Sequence, residues 1–203
     1  MGLKEALAKL ESYSAELGLD LRRPGDRFKW FLASLLFAKR ISADIAKKAF
    51  RCLVERGLDT PERIVEAGWD ALVEALDVGG YVRYDFSTAT NILEAAKKLL
   101  EEYGGSIDEV HERSASPEEL EERLKAFRGV GPVAVNIFLR ELRGIWPRAR
   151  PKPSKMALEV AEGLGLSEEV PEFEASLVRL YLEYCKKRRC GACPLGAYCR
   201  RRR

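Results

Sequence analysis

The sequence contains no glutamine and only two asparagines, Asn91 and Asn136. Glu, Lys and Arg take their place, and charged residues make up 33% of the chain. Few thermolabile amides and dense charge match the compositional bias of thermophile proteins. Long apolar runs are also missing: no stretch approaches the roughly 20 residues of a membrane helix. The opening Met1-Gly2-Leu3-Lys4-Glu5 leads into an amphipathic pattern without the apolar segment of a secretory signal. Ala6 stands where a myristoylation pattern needs Ser or Thr. These absences lead us to expect a soluble, cytoplasmic monomer with no membrane partner. No stretch alternates as a strand would, and no internal repeat is visible. The expected fold is therefore all-α, with about nine to eleven helices and short loops. Apolar residues at 46% are ample for a core, and 203 residues suit one large domain or two interleaved smaller ones.

Acidic residues are absent between Cys185 and Arg203, where eight Lys or Arg occur. The net charge of +3 thus hides a net-acidic remainder. A second basic cluster holds Arg140, Arg143, Arg148, Arg150, Lys152 and Lys155, with Glu141 the one acid among them. Two such clusters are the footprint of a polyanion partner; for Arg200 to Arg203 a solvated tail is the competing reading.

Helical periodicity runs through residues 3 to 17, with a break at Arg23-Pro24-Gly25-Asp26 and a strongly apolar helix over Phe28, Phe31, Leu32, Leu35 and Leu36. Ser42 or Asp44, Thr60 before Pro61, Ser116 before Pro117, and Ser154 read as helix starts. Gly68 divides one helical pattern from the next. A flexible, aromatic loop, Gly79 to Thr88, precedes a long helix from Ser87 to Tyr103. Residues 171 to 184 form the last helix.

The organising stretch is Phe127-Arg128-Gly129-Val130-Gly131-Pro132-Val133-Ala134. Leu120, Leu124 and Phe127 repeat at helical spacing before it, and Pro132 opens a second helix expected to run to Gly144. Between them the two glycines permit a sharp turn and close approach of the backbone to another molecule. Free N–H groups at the start of the second helix carry partial positive charge and suit a phosphate. This is the sequence form of a helix-hairpin-helix, which reads the nucleic-acid backbone without base specificity; an ordinary helical hairpin with a Gly-rich turn is the alternative.

Cys185, Cys190, Cys193 and Cys199 are spaced C-x4-C-x2-C-x5-C. Four thiolates on one short loop suit a single metal centre better than disulfides in a chain without a secretory signal. A [4Fe-4S] cluster fits one tight loop, whereas four-cysteine zinc sites usually come as two separated knuckles; zinc remains the alternative. Lys186, Lys187, Arg188 and Arg189 lie within the first spacing, which points to a structural, DNA-contacting role for the centre. Cys52, on an apolar helix face, reads as a buried small hydrophobe.

The hairpin Arg128-Gly129-Val130-Gly131-Pro132 followed by a C-terminal four-cysteine loop resembles the iron–sulfur DNA glycosylases of the endonuclease III and adenine-glycosylase superfamily. The resemblance spans about Phe28 to Cys199. It implies a two-lobed helical bundle: a six-helix barrel over 26–135, and an iron–sulfur cluster domain from 1–25 plus 136–203. It implies a lesion- or mismatch-containing duplex as partner, a nucleoid-associated location, and a target nucleotide turned out into a pocket. Three departures stand out. Four residues, not six, separate the first two cysteines. Val133 replaces the Lys of lyase-type members, and Val cannot form a Schiff base. The Asp that opens the helix after the hairpin aligns with Ser154 or Lys152. A carboxylate there would stabilise the cationic sugar of N-glycosidic cleavage; Ser154 could position water, and Lys152 or Lys155 could be a relocated amine nucleophile. The resemblance also assigns Tyr81, Arg83, Tyr84 and Asp85 to a loop that enters DNA or lines the pocket; the alternative is that the aromatics pack and Asp85 caps the helix beginning near Ser87. It assigns Lys39 and Arg40 to a turn that contacts phosphate or fills the gap left by the flipped base. Phosphate contact is the plainer reading of Lys152 and Lys155, and Lys187 and Arg188 are read as DNA contacts from their place within the first cysteine spacing. The expected function is excision of a modified or mismatched base with a non-standard active site; an inactive lesion-binding protein and an AP-site lyase are the alternatives.

Overall fold

Short polar side chains set where the helices begin. In the computed structural model, which describes residues 2–166 and 168–201, every regular element is helical. In chain order these are α1 (Leu3–Ala8), α2 (Tyr13–Glu16), α3 (Pro24–Phe37), α4 (Ala43–Glu55), α5 (Pro61–Val78), α6 (Asp85–Tyr103), α7 (Ile107–Glu112), α8 (Pro117–Lys125), α9 (Pro132–Arg140), α10 (Lys155–Leu164) and α11 (Val170–Leu180). Ser42, Thr60, Ser116 and Ser154 each accept a backbone N–H from the first turn of α4, α5, α8 and α10. Glu119 closes the α8 start one residue earlier than a capping box would, accepting from Ala115 N–H at 2.7 Å. The fold is all-α, and among the described residues no helix is long and apolar enough to cross a membrane.

The chain divides into two compact units, Leu17–Pro151 and Met1–Glu16 with Lys152–Arg203. In the larger unit, α3 packs against α4, α6, α7 and α9. Trp30, Phe31, Leu32, Leu35 and Leu36 are buried along it, each worth about 1.5–3 kcal/mol against exposure. Phe31 meets Phe127 and Phe138 edge-on, at 5.6 and 5.5 Å between ring centroids. Trp30 Nε1 donates to the Phe138 carbonyl at 3.2 Å. These contacts tie both arms of the hairpin to the central helix. Arg27 and Asp108 form a bidentate pair, Nη2 to Oδ2 2.7 Å, and Arg27 Nη1 also donates to the Leu21 carbonyl. In the smaller unit, α1 and α10 pack on α11, burying Leu7, Ala157, Ala161, Leu177 and Leu195.

Four expectations about element bounds change. Residues 3 to 17 form two helices rather than one: Ser12 Oγ accepts from Ala15 N–H, and that local bond competes with helix continuation. Pro24, read as part of a break, is the first residue of α3, where its missing N–H costs nothing. α9 ends at Arg140 rather than Gly144. The last helix ends at Leu180 and widens into a π-helical turn, Tyr181–Cys185.

Candidate nucleic-acid interface and cysteine loop

The hairpin in the larger unit is built by one buried side chain between two glycines. Phe127 is buried and stacks on Tyr103 at 5.9 Å. Arg128 and Gly129 are exposed, Val130 is buried, and its N–H closes the turn on the Phe127 carbonyl at 3.1 Å. Val130 therefore anchors the turn from below, and its side chain is not a contact surface; any role it has is through the backbone. Gly131 precedes α9 as its N-cap and offers no side-chain cap. The N–H groups of Gly129, Gly131 and Val133 donate to no acceptor among the described residues, and the Val133 side chain is 57% exposed.

The two glycines have different reasons. Gly129 has φ +79°, and a Cβ there would lie 2.8 Å from Asn91 Cβ and closer still to the Asn91 carboxamide. Both conformation and space demand glycine at 129. Gly131 has φ −96° and ψ 178°, which any residue adopts, and a Cβ there would meet nothing within 4 Å. Nothing inside the chain requires glycine at 131. What its missing side chain leaves bare is the outer surface of the turn.

Of the remaining candidates in this unit, Arg40 is exposed and Lys39 half-buried in the turn after α3. Arg83 is exposed and lies over the Tyr84 ring at 5.4 Å, while Tyr84 is half-buried at the start of α6. Tyr81 requires a correction. It is fully buried, and its hydroxyl donates to the Leu36 carbonyl at 2.7 Å, so it packs in the core and has no face to offer a base. Burial raises its pKa far above that of a free phenol. Asp85 Oδ1 accepts from Phe86 N–H at 2.7 Å, and its carboxyl lies near that of Asp77. Desolvation first, and the neighbouring Asp85 carboxyl second, raise the Asp77 pKa.

In the smaller unit Ser154 is a helix cap with both groups engaged. Its Oγ accepts from Ala157 N–H at 3.3 Å, and its own N–H donates to Glu174 Oε1 at 2.8 Å. Lys152 and Lys155 are exposed. Glu174, only 1% exposed, is a carboxylate that the candidate set omits. The signal for it was present: Glu174 interrupts the apolar stripe of Val170, Leu177 and Val178 on α11, all buried.

The cysteine segment begins in the π-helical turn. Cys185 is exposed; Cys190, Cys193 and Cys199 are half-buried, and all four are free thiols. Leu195, buried, anchors the loop, and Arg200 N–H donates to the Gly163 carbonyl at 2.9 Å. Lys186, Lys187, Arg188 and Arg189 are exposed, and Arg188 alone among described non-glycine residues has a positive φ, 54°. Burial, and then the charges of Cys193, Cys199 and Cys190, raise the Cys185 pKa; burial, and then Cys199 and Cys190, raise that of Cys193. The four sulfurs thus share one electrostatic neighbourhood, which a cation would relieve. In kind the donor set fits a four-iron cluster or zinc. In placement, no group of three or more His, Cys, Asp or Glu among the described residues stands in an arrangement that could hold a metal ion. No family model matches this chain, and no curated protein matches it.

Proposed function

We propose that this protein binds duplex DNA through its hairpin and is a repair protein, a divergent relative of the iron–sulfur DNA glycosylases that excises a modified or mismatched base without family-type β-lyase chemistry. The observation that carries the reading is Gly131: neither conformation nor packing needs a glycine there, and unpartnered N–H groups surround it. A bare backbone with free donors at a helix start suits a phosphate. Arg128, exposed beside it, adds charge without base specificity. Val133 supplies no amine, so the lyase step has no nucleophile at that position. Cys185, Cys190, Cys193 and Cys199 would hold the [4Fe-4S] cluster or zinc, and that centre when bound would tie Lys187 and Arg188 into one conformation against DNA.

A second reading is lesion binding without chemistry. It is favoured by the state of the candidate acids and nucleophiles: Ser154 caps its own helix, and Asp85 accepts its neighbour's N–H. A panel of duplexes carrying single damaged or mismatched bases, incubated with protein and developed with and without alkali, separates the readings. Strand breaks that appear only after alkali support the glycosylase. Borohydride trapping on an AP-site duplex, lost in Lys152→Ala or Lys155→Ala, would support a relocated amine. Tight lesion binding with no base release supports the second reading, and no affinity for any duplex removes both.

A further inference from the structure

One of the chain's two asparagines lies directly against the hairpin. Asn91 is half-buried on α6, in the same unit as the turn. Its side chain occupies the space that a Cβ on Gly129 would take. Its carboxamide makes no hydrogen bond to another described residue. Neither of its polar atoms is among those sealed from solvent without a partner, so the amide edge is open to a ligand as well as to water.

We propose that Asn91 is the positioning residue of the DNA-binding turn and that its carboxamide lies beside the bound phosphate. The inference rests on the duplex-binding reading above. With Asn91 in place, the turn at 129 accommodates only a glycine in the left-handed conformation. That conformation separates the buried Val130 side chain from the outward N–H groups of Gly129 and Gly131. The amide edge of Asn91, unclaimed by protein, is free to join those donors. A neutral amide suits the role: it fills the space and donates to an anion, whereas the isosteric carboxylate would fill the space and repel.

The test is fluorescence anisotropy of a labelled, undamaged duplex with the full-length protein, well below the melting temperature of each variant. Asn91→Ala is expected to weaken binding about tenfold, the size of one lost hydrogen bond to a charged group. Asn91→Asp keeps the shape and is expected to bind more weakly than Asn91→Ala, with the gap closing as salt screens the added charge. A role in packing alone would lower the melting temperature of Asn91→Ala and leave its affinity, measured on the fully folded variant, at the wild-type value. Should Asn91→Ala melt too early to assay, Asn91→Asp carries the comparison alone against wild type across the salt series. Wild-type affinity in both Asn91 variants, with Gly131→Ala weakened, overturns the proposal and leaves the hairpin reading standing. Wild-type affinity in Gly131→Ala as well means that the turn is not the DNA surface, and both readings fall.

Discussion

Two alanine substitutions, two residues apart in one turn, should behave in opposite ways. Gly129→Ala places an L-residue at φ +79°, which costs roughly 1–2 kcal/mol for left-handed backbone. Its methyl would sit 2.8 Å from Asn91 Cβ, closer than real Cβ contacts come, so α6 or the turn must shift. Overpacking of that kind adds about 1–3 kcal/mol. Together that is roughly 2–5 kcal/mol from a total stability on the order of 5–15 kcal/mol. For a chain of this size it corresponds to a melting point lower by about 4–20 °C. Gly131→Ala meets open space at an ordinary φ. It should be neutral, or stabilising by about 0.4–1 kcal/mol through the unfolded chain, while its methyl obstructs close approach from outside. Thermal melts followed by circular dichroism, paired with duplex binding, read both effects. Equal destabilisation by the two substitutions would refute the conformational argument. A Gly131→Ala protein that melts and binds as wild type would refute the idea that the bare surface is a contact.

Three further outcomes are expected. His111, the sole histidine, is buried and stacked on Trp146 at 4.8 Å, with no partner for Nε2. Burial, then the Arg148 charge, holds its pKa below the ordinary 6.5 against a smaller opposing pull from Asp108. The unfolded chain therefore binds the proton more readily. Stability from this site is full above about pH 6.5 and is lost as pH falls through the folded value, with a slope of at most about 1.4 kcal/mol per pH unit. Urea melts between pH 5 and 7 should show the slope in wild type and its loss in His111→Gln; an unchanged slope in the variant would assign the effect elsewhere. Ser154→Ala removes the α10 cap and should cost about 1 kcal/mol in urea melts; if base release survives the substitution, Ser154 is a cap and nothing more. Protein purified without oxygen should be yellow-brown, and Cys190→Ser should bleach it and reduce its solubility. A colourless protein with one bound zinc would decide for the zinc alternative.

Local signals in the chain were readable because local chemistry produces them. Ser42, Thr60, Ser116 and Ser154 cap helices in the structure for the reason visible in the sequence: a short side-chain oxygen precedes a helical pattern. The apolar face of α3 and the Phe127–Pro132 turn were equally plain. Long-range choices were not. Tyr81 sits in a glycine-flanked loop with no periodicity to say which way it faces, and the Leu36 carbonyl that holds it lies 45 positions away. Asn91 reads as an ordinary residue on the long helix until its contact with Gly129 is seen. Glu174 was legible as an acid on an apolar stripe, but its partner, the Ser154 N–H, belongs to another helix.

The smaller unit is assembled from both ends of the chain, with all of Leu17–Pro151 intervening. During synthesis α1 leaves the ribosome long before α11, the helix it packs against, exists. Leu7 must wait, solvent-exposed, while the larger unit completes itself. The cysteine segment, which belongs to the second of that unit's two stretches, is made only after the larger unit has been synthesised. A truncated product would carry a finished hairpin yet lack the unit that the first helix was made to join.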